Sequence, residues 1–222
     1  MTQRWITGAL IAGMLVFSVL VLVQRLEGSS TVSSEQLQAW GVYLYPEPRE
    51  LSEFALVDDQ GQVFDNQRLQ DKWTLAFFGF TRCPDVCPTG MATLKQFHTI
   101  MGGSPLAANT QVVLVSVDPE HDTPEVIGAY AKQFEPSFIG VTGEPSNIQT
   151  LAHQLHVVFE AQHRAGHGDH ESHEGHEGHE GHVDILHSSQ IVLFDPQGRL
   201  AGFFRAPHNA GDMWLAYQQI RM

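Results

Sequence analysis

Trp73-Thr-Leu-Ala-Phe-Phe-Gly-Phe-Thr-Arg-Cys-Pro-Asp-Val-Cys-Pro-Thr-Gly90 is the stretch whose reading decides the fold. Residues 73–80 are almost continuously apolar and do not alternate, which predicts a strand buried on both faces at the centre of a sheet. Beyond Gly90, Met91, Leu94, Phe97 and Met101 recur at helical spacing. The turn between strand and helix holds the only cysteines of the chain, Cys83 and Cys87, spaced CxxxC. Pro88 suits the first helical position, where a missing N–H costs nothing, so Cys87 is expected near the N-cap and Cys83 in the loop before it. Free N–H groups at a helix N-terminus favour a thiolate over a thiol.

Three uses of such a pair stay open on the residues alone. A structural disulfide here would close a loop of only five residues, and the entropic benefit of a cross-link shrinks with its loop. Two soft sulfurs on one tight turn could instead grip a soft ion such as Cu(I), or cycle between dithiol and disulfide. The spacing is not the CxxC of thioredoxin-type enzymes, and a closed zinc site would want four ligands.

Working outward, residues 111–117 predict a second buried strand, and Asp118-Pro-Glu-His-Asp-Thr-Pro-Glu125 ends it and starts a helix capped by Asp122 or Thr123. A short strand at 138–141 and a helix at 145–155 follow, then an extended piece from 157. Residues 188–194, the turn Asp195-Pro-Gln-Gly198 and residues 200–204 read as a hairpin, with a closing helix at about 210–221. Upstream, residues 53–57 and 62–64 read as short strands about Asp58-Asp-Gln-Gly61. The order implies an α/β fold, a central mixed sheet flanked by helices, with the cysteine loop at the carboxyl end of a central strand, where open α/β sheets place their sites.

Residues 5–23 carry no charge and are long enough to span a bilayer core as a helix, so residues 1–26 are expected to be an uncleaved N-terminal transmembrane anchor. Residues 27–47 are expected to be a tether and 48–222 the folded domain. The chain has 222 residues and a formal charge of −13, which leaves room for one sizeable core and argues against nucleic acid as a partner. The anchor implies a single-pass protein of the bacterial inner membrane with its domain in the periplasm.

A low-complexity insert occupies 162–182, with histidine at every third position from His167 through His170, His173, His176 and His179 to His182. Its repeated glycine opposes a helix, and six histidines interleaved with glutamate make a weak, promiscuous tract for Cu(II), Zn(II) or Ni(II). His98, His121, His153, His156 and His208 earn no role from their positions.

The motifs Phe77-Phe-Gly-Phe-Thr-Arg-Cys-Pro-Asp-Val-Cys-Pro88, Ser116-Val-Asp-Pro-Glu-His-Asp-Thr-Pro124, Phe138-Ile-Gly-Val-Thr-Gly143, His187-Ser and Asp195-Pro-Gln-Gly198 together resemble the Sco/SenC family, over about residues 48–220. The resemblance implies a thioredoxin-like fold, a membrane anchor, and copper held as Cu(I) or Cu(II) by Cys83, Cys87 and His187. It also implies a metallochaperone, not an enzyme, that builds the binuclear copper site of cytochrome c oxidase. The partner would then be the copper-site subunit of the oxidase, with other copper chaperones or thiol reductases as further partners. The chain departs from the family pattern at Leu186, where an acidic residue commonly precedes the ligand histidine, and in the insert almost abutting His187. His182 is the alternative ligand.

A second functional class is a membrane-anchored thiol:disulfide oxidoreductase that reduces the cysteines of a copper-site apoprotein through Cys83 and Cys87. Such reductases carry a cis-proline before the strand facing their cysteines, a place that His187 takes here. A peroxidase of the peroxiredoxin kind fits less well, since Thr81 stands two residues and not three before Cys83 and no resolving cysteine lies elsewhere.

Overall fold

The computed structural model describes Met14, residues 32–162, 184–187 and 189–221, with 160–162 and 184–187 described by their backbone. An eight-stranded mixed sheet carries the fold. Its strands are β1 (Val42–Arg49), β2 (Ala55–Asp58), β3 (Val63–Asp65), β4 (Trp73–Gly79), β5 (Thr110–Ser116), β6 (Ile139–Thr142), β9 (Ile191–Phe194) and β10 (Leu200–Phe204), and between β6 and β9 in the chain lie β7 (Phe159–Gln162) and β8 (Asp184–His187), which pair only with each other. The order across the sheet is β1-β10-β9-β4-β5-β6-β2-β3.

Strand β4 sits where its composition puts it, parallel to β5 on one side and antiparallel to β9 on the other. Every residue from Thr74 to Gly79 is buried, so the unbroken apolar run is two-sided burial. Helices α1 (Ser34–Ala39), α2 (Val86–Met101), α3 (Pro124–Phe134), α4 (Pro145–Gln154) and α5 (Ala210–Ile220) complete the fold. The apolar stripe predicted for α2 is buried as Met91, Leu94, Phe97 and Met101, and Phe97 packs edge-on to Tyr217 of α5 at 5.4 Å between ring centres. Gly90 is required by that packing: a Cβ there would lie 2.8 Å from the Phe77 ring of β4.

Register fixes which ends of the strands meet. Phe77 of β4 pairs with Ile191, and Ile191 pairs in turn with Phe204. The start of β9 and the end of β10 therefore lie at the end of the sheet where β4 runs out into the cysteine loop.

Several expectations change. The segment 27–47 is not a tether throughout, because α1 and most of β1 fall within it. Pro46 and Pro48 lie within β1, which is the sheet edge, paired antiparallel to β10 at Val42–Leu44 and again at Arg49 with an irregularity between, and an edge strand tolerates proline. The strand expected at 188–194 begins only at Ile191, and the residues before it fold back as β8 against β7. His187 thus belongs to the ribbon at the base of the insert, opposite Phe159, and not to the sheet. Among the described residues no helix is long and apolar enough to cross a membrane. The expected anchor at 5–23 lies outside them apart from Met14.

Candidate functional site

Helix α2 begins two residues earlier than expected. Asp85 is the N-cap, Val86 the first helical residue and Cys87 the second, while Pro88 still falls in the first turn where an amide proton has no helical partner. Asp85 makes no side-chain cap bond. The Cys87 N–H is donated instead to Cys83 Sγ at 3.3 Å, so the sulfur of one cysteine serves as the helix cap from within the turn.

The two thiols differ in setting. Cys83 is half-buried, whereas Cys87 is fully buried, and neither is in a disulfide. Cys87 Sγ lies against the end of β4, where a Cβ on Gly79 would come within 2.9 Å of it. Glycine at 79 therefore leaves the space that the sulfur fills. Burial pushes the Cys87 thiol well above its ordinary value, and the neighbouring Cys83 and the Asp122 charge push the same way, against a bond from Phe80. The expectation that backbone N–H groups favour a thiolate thus fails at Cys87: desolvation outweighs the helix N-terminus.

Two carboxylates in the segment between β5 and α3 moor the loop. Asp122 is fully buried; its Oδ1 accepts the Thr81 hydroxyl at 2.5 Å, and its Oδ2 accepts the Thr81 N–H at 3.2 Å and the Ser116 hydroxyl at 2.7 Å. Asp118 Oδ2 accepts from Arg82 Nη2 at 2.7 Å, and His121 Nδ1 stands 2.8 Å from its Oδ1. Although burial alone would raise the Asp118 pKa, the bonds from Arg82 and His121 outweigh it and hold the carboxyl below its usual range. Thr123, not Asp122, caps α3, its hydroxyl accepting the Val126 N–H at 3.4 Å. Asp122 and Tyr130 were not legible as site residues. Asp122 reads as a cap, and Tyr130 falls among the apolar positions of α3.

The Tyr130 hydroxyl is buried and has no hydrogen-bond partner among the described residues. Burial first, then the charges of Cys87, Cys83 and Asp122, push its phenol up to about 12. A neutral O–H donor is thus held in the electrostatic neighbourhood of both sulfurs.

The structure brings Cys83 and Cys87 together at the carboxyl end of β4 and places the backbone of His187 in β8, four residues before β9 starts at the same end of the sheet. Among the described residues no group of three His, Cys, Asp or Glu side chains is placed to hold a metal ion. The tract from His167 to His182 lies outside those residues. The single cis peptide among them is Ala206–Pro207, beyond β10, and the lead-in to β9 is Ser189-Gln190, with no proline. Two cysteine sulfurs on one turn, one cradled beside a glycine, form a donor pair that suits a soft monovalent ion.

The family model described as SCO1/SenC matches residues 44–220 of this chain. A protein of Stutzerimonas stutzeri named as a proposed copper-binding protein is 31% identical over 204 residues, which cover 91% of this chain and 92% of that one. The crystal structure of Arabidopsis thaliana ScoI with copper bound is similar at a TM-score of 0.64 and 28% identity, covering 77% of this chain and 97% of that one. The solution structures of apo Sco1 from Thermus thermophilus reach a TM-score of 0.64 at 32% identity, covering 82% of this chain and 95% of the other. The α/β architecture is accordingly the thioredoxin-like fold with a central mixed sheet.

Proposed function

The chain belongs to the SCO1/SenC family, and on that premise we propose that it is a membrane-anchored copper metallochaperone serving the binuclear copper site of cytochrome c oxidase. Copper is its cargo, carried by Cys83, Cys87 and His187. The observation that carries the reading is the donor pair itself: two cysteine sulfurs, not joined in a disulfide, held on one turn at the end of the central strand, in a relative of proteins that bind copper.

Two thiolates and one imidazole satisfy Cu(I) at low coordination and leave a side open to an incoming ligand from the recipient. Cys83, the half-exposed sulfur, is the one a partner reaches first. Val86, between the cysteines, is exposed beside it. The Cys87 proton must leave when metal binds, so copper loading is accompanied by proton release. Oxidation of the pair to a disulfide consumes both donors and excludes the metal, which couples thiol redox to copper occupancy.

Residues 1–26 act as the anchor in this reading, with the domain on the periplasmic face and the tether confined to the short stretch before α1. The insert at 162–182 gathers divalent metal weakly. A free imidazole takes up its proton near pH 6.5, so binding that depends on neutral imidazole should fall below about pH 6 while a thiolate-held Cu(I) persists. The competing reading, a thiol reductase of the copper-site apoprotein, draws on the same cysteine pair. It needs no third ligand. His187→Ala should therefore leave oxidase assembly intact for a reductase, and should abolish assembly at limiting copper, with recovery at excess copper, for a metallochaperone.

A further inference from the structure

His208, which its sequence position leaves without a role, makes one specific bond. Its Nε2 stands 2.6 Å from the backbone oxygen of Ser189. A carbonyl oxygen can only accept, so Nε2 carries the proton and donates. The other ring nitrogen, Nδ1, is buried and has no partner among the described residues. Burial holds the imidazole below the ordinary histidine value, the bond to Ser189 opposing that and losing, so the ring is a neutral Nε2–H tautomer at pH 7.

The place of this bond gives it meaning. Ser189 is two residues after His187 and two before Ile191, the first residue of β9. Ser189 thus lies between β8, which carries His187, and the start of β9 at the sheet end where Phe77 runs on toward the cysteines. Gln190 adds only a long bond, Nε2 to the Leu155 oxygen at 3.4 Å. His208 comes from the other side, after β10 and just before Asn209, whose side chain accepts the Gly211 and Asp212 N–H groups at 2.9 and 3.0 Å and caps α5. The donor is therefore fixed to a rigid helix start, and the acceptor lies on the piece of chain between a candidate ligand and the sheet.

We propose that His208 is a positioning residue for the copper site: by holding the Ser189 carbonyl it sets where β8 presents His187 relative to Cys83 and Cys87. The inference rests on the metallochaperone reading above. Groups bonded directly to a metal ligand contribute about 10- to 100-fold in metal affinity, and a residue acting two positions along the backbone is expected at the lower end of that range.

The test is a double-mutant cycle in the full-length chain purified in detergent, with Cu(I) affinity read by competition against a chromophoric chelator. His208→Ala is expected to weaken Cu(I) about tenfold or more while two thiols still titrate, and His208→Gln, whose side-chain amide can donate to the same carbonyl, to recover most of the loss. Combined with His187→Ala, the His208 change should cost nothing further, because it acts through His187. In the metal-free protein, amide exchange at residues 189–191 should rise in His208→Ala and not in His208→Gln. If His208→Ala does not accumulate, His208→Leu against His208→Gln carries the same comparison. Additive losses, or an unchanged affinity in His208→Ala or His208→Leu, overturn the positioning role while leaving His187 in place. An unchanged affinity in His187→Ala instead overturns the ligand assignment on which both readings stand.

Discussion

Asp122 holds Thr81 at two points, accepting both its backbone N–H and its hydroxyl, across 41 positions of sequence. The same carboxylate also accepts the Ser116 hydroxyl at the end of β5. One buried side chain thereby joins the cysteine loop to the neighbouring strand. Asp122→Asn replaces one accepting oxygen with a donor facing donors, and should cost about 2 to 4 kcal/mol in denaturant unfolding. Cys83 should also become faster to alkylate. A loss under about 0.5 kcal/mol, the range of ordinary surface changes, would show that the mooring does not hold the loop.

Gly79 and Cys87 share one space. Gly79→Ala adds a Cβ that would meet Cys87 Sγ at 2.9 Å, a distance that forces the sulfur or the helix start to move. The overpacking should cost about 1 to 3 kcal/mol. Cu(I) affinity should fall while far-ultraviolet circular dichroism stays native. Unchanged copper binding would place the metal away from Cys87.

The buried Cys87 thiol makes the reduced chain sensitive to alkali. Its folded pKa is raised above the unfolded value of about 8.5. The stability it contributes is full below that pH and is lost as pH climbs toward the folded value, because only the unfolded chain can then release the proton. The stability difference between the wild type and Cys87→Ala should shrink by up to about 1.4 kcal/mol per pH unit above pH 8.5. A difference that stays flat to pH 10 would mean that the thiol is not desolvated.

Tyr130 hides a hydroxyl that has no hydrogen-bond partner among the described residues. Tyr130→Phe keeps the ring beside Phe134, 5.4 Å between centres, and removes only the oxygen. The reduced apo form should gain about 1 kcal/mol, a rise of about 2 to 4 °C in Tm for a domain of this size. A fall in Tm would reveal a partner for the hydroxyl.

Where one physical cause dominated, the sequence was readable. The unbroken apolar run into Gly79 and the helical stripe from Met91 to Met101 located the centre of the sheet, its covering helix and the cysteine turn between them. The edge strand β1 was hidden because its prolines argue against a strand everywhere except at an edge, and being at the edge is a tertiary fact. Asp122 was hidden for a related reason. Asp-Thr-Pro signals a helix cap equally well with either of the first two residues, and only the fold shows that Thr123 caps while Asp122 turns inward to Thr81 and Ser116. The Ser189–His208 bond spans 19 positions that no local pattern connects.

The most direct measurement is a Cu(I) titration of the full-length chain in two states, fully reduced and oxidised to the Cys83–Cys87 disulfide, against a competing chelator strong enough to strip the histidine tract. With the two thiolates as the core of the site, the reduced chain binds one Cu(I) tightly and the oxidised chain binds none at that stringency. Equal affinity in the two states would remove Cys83 and Cys87 from the metal and contradict the proposal that copper rides on this turn.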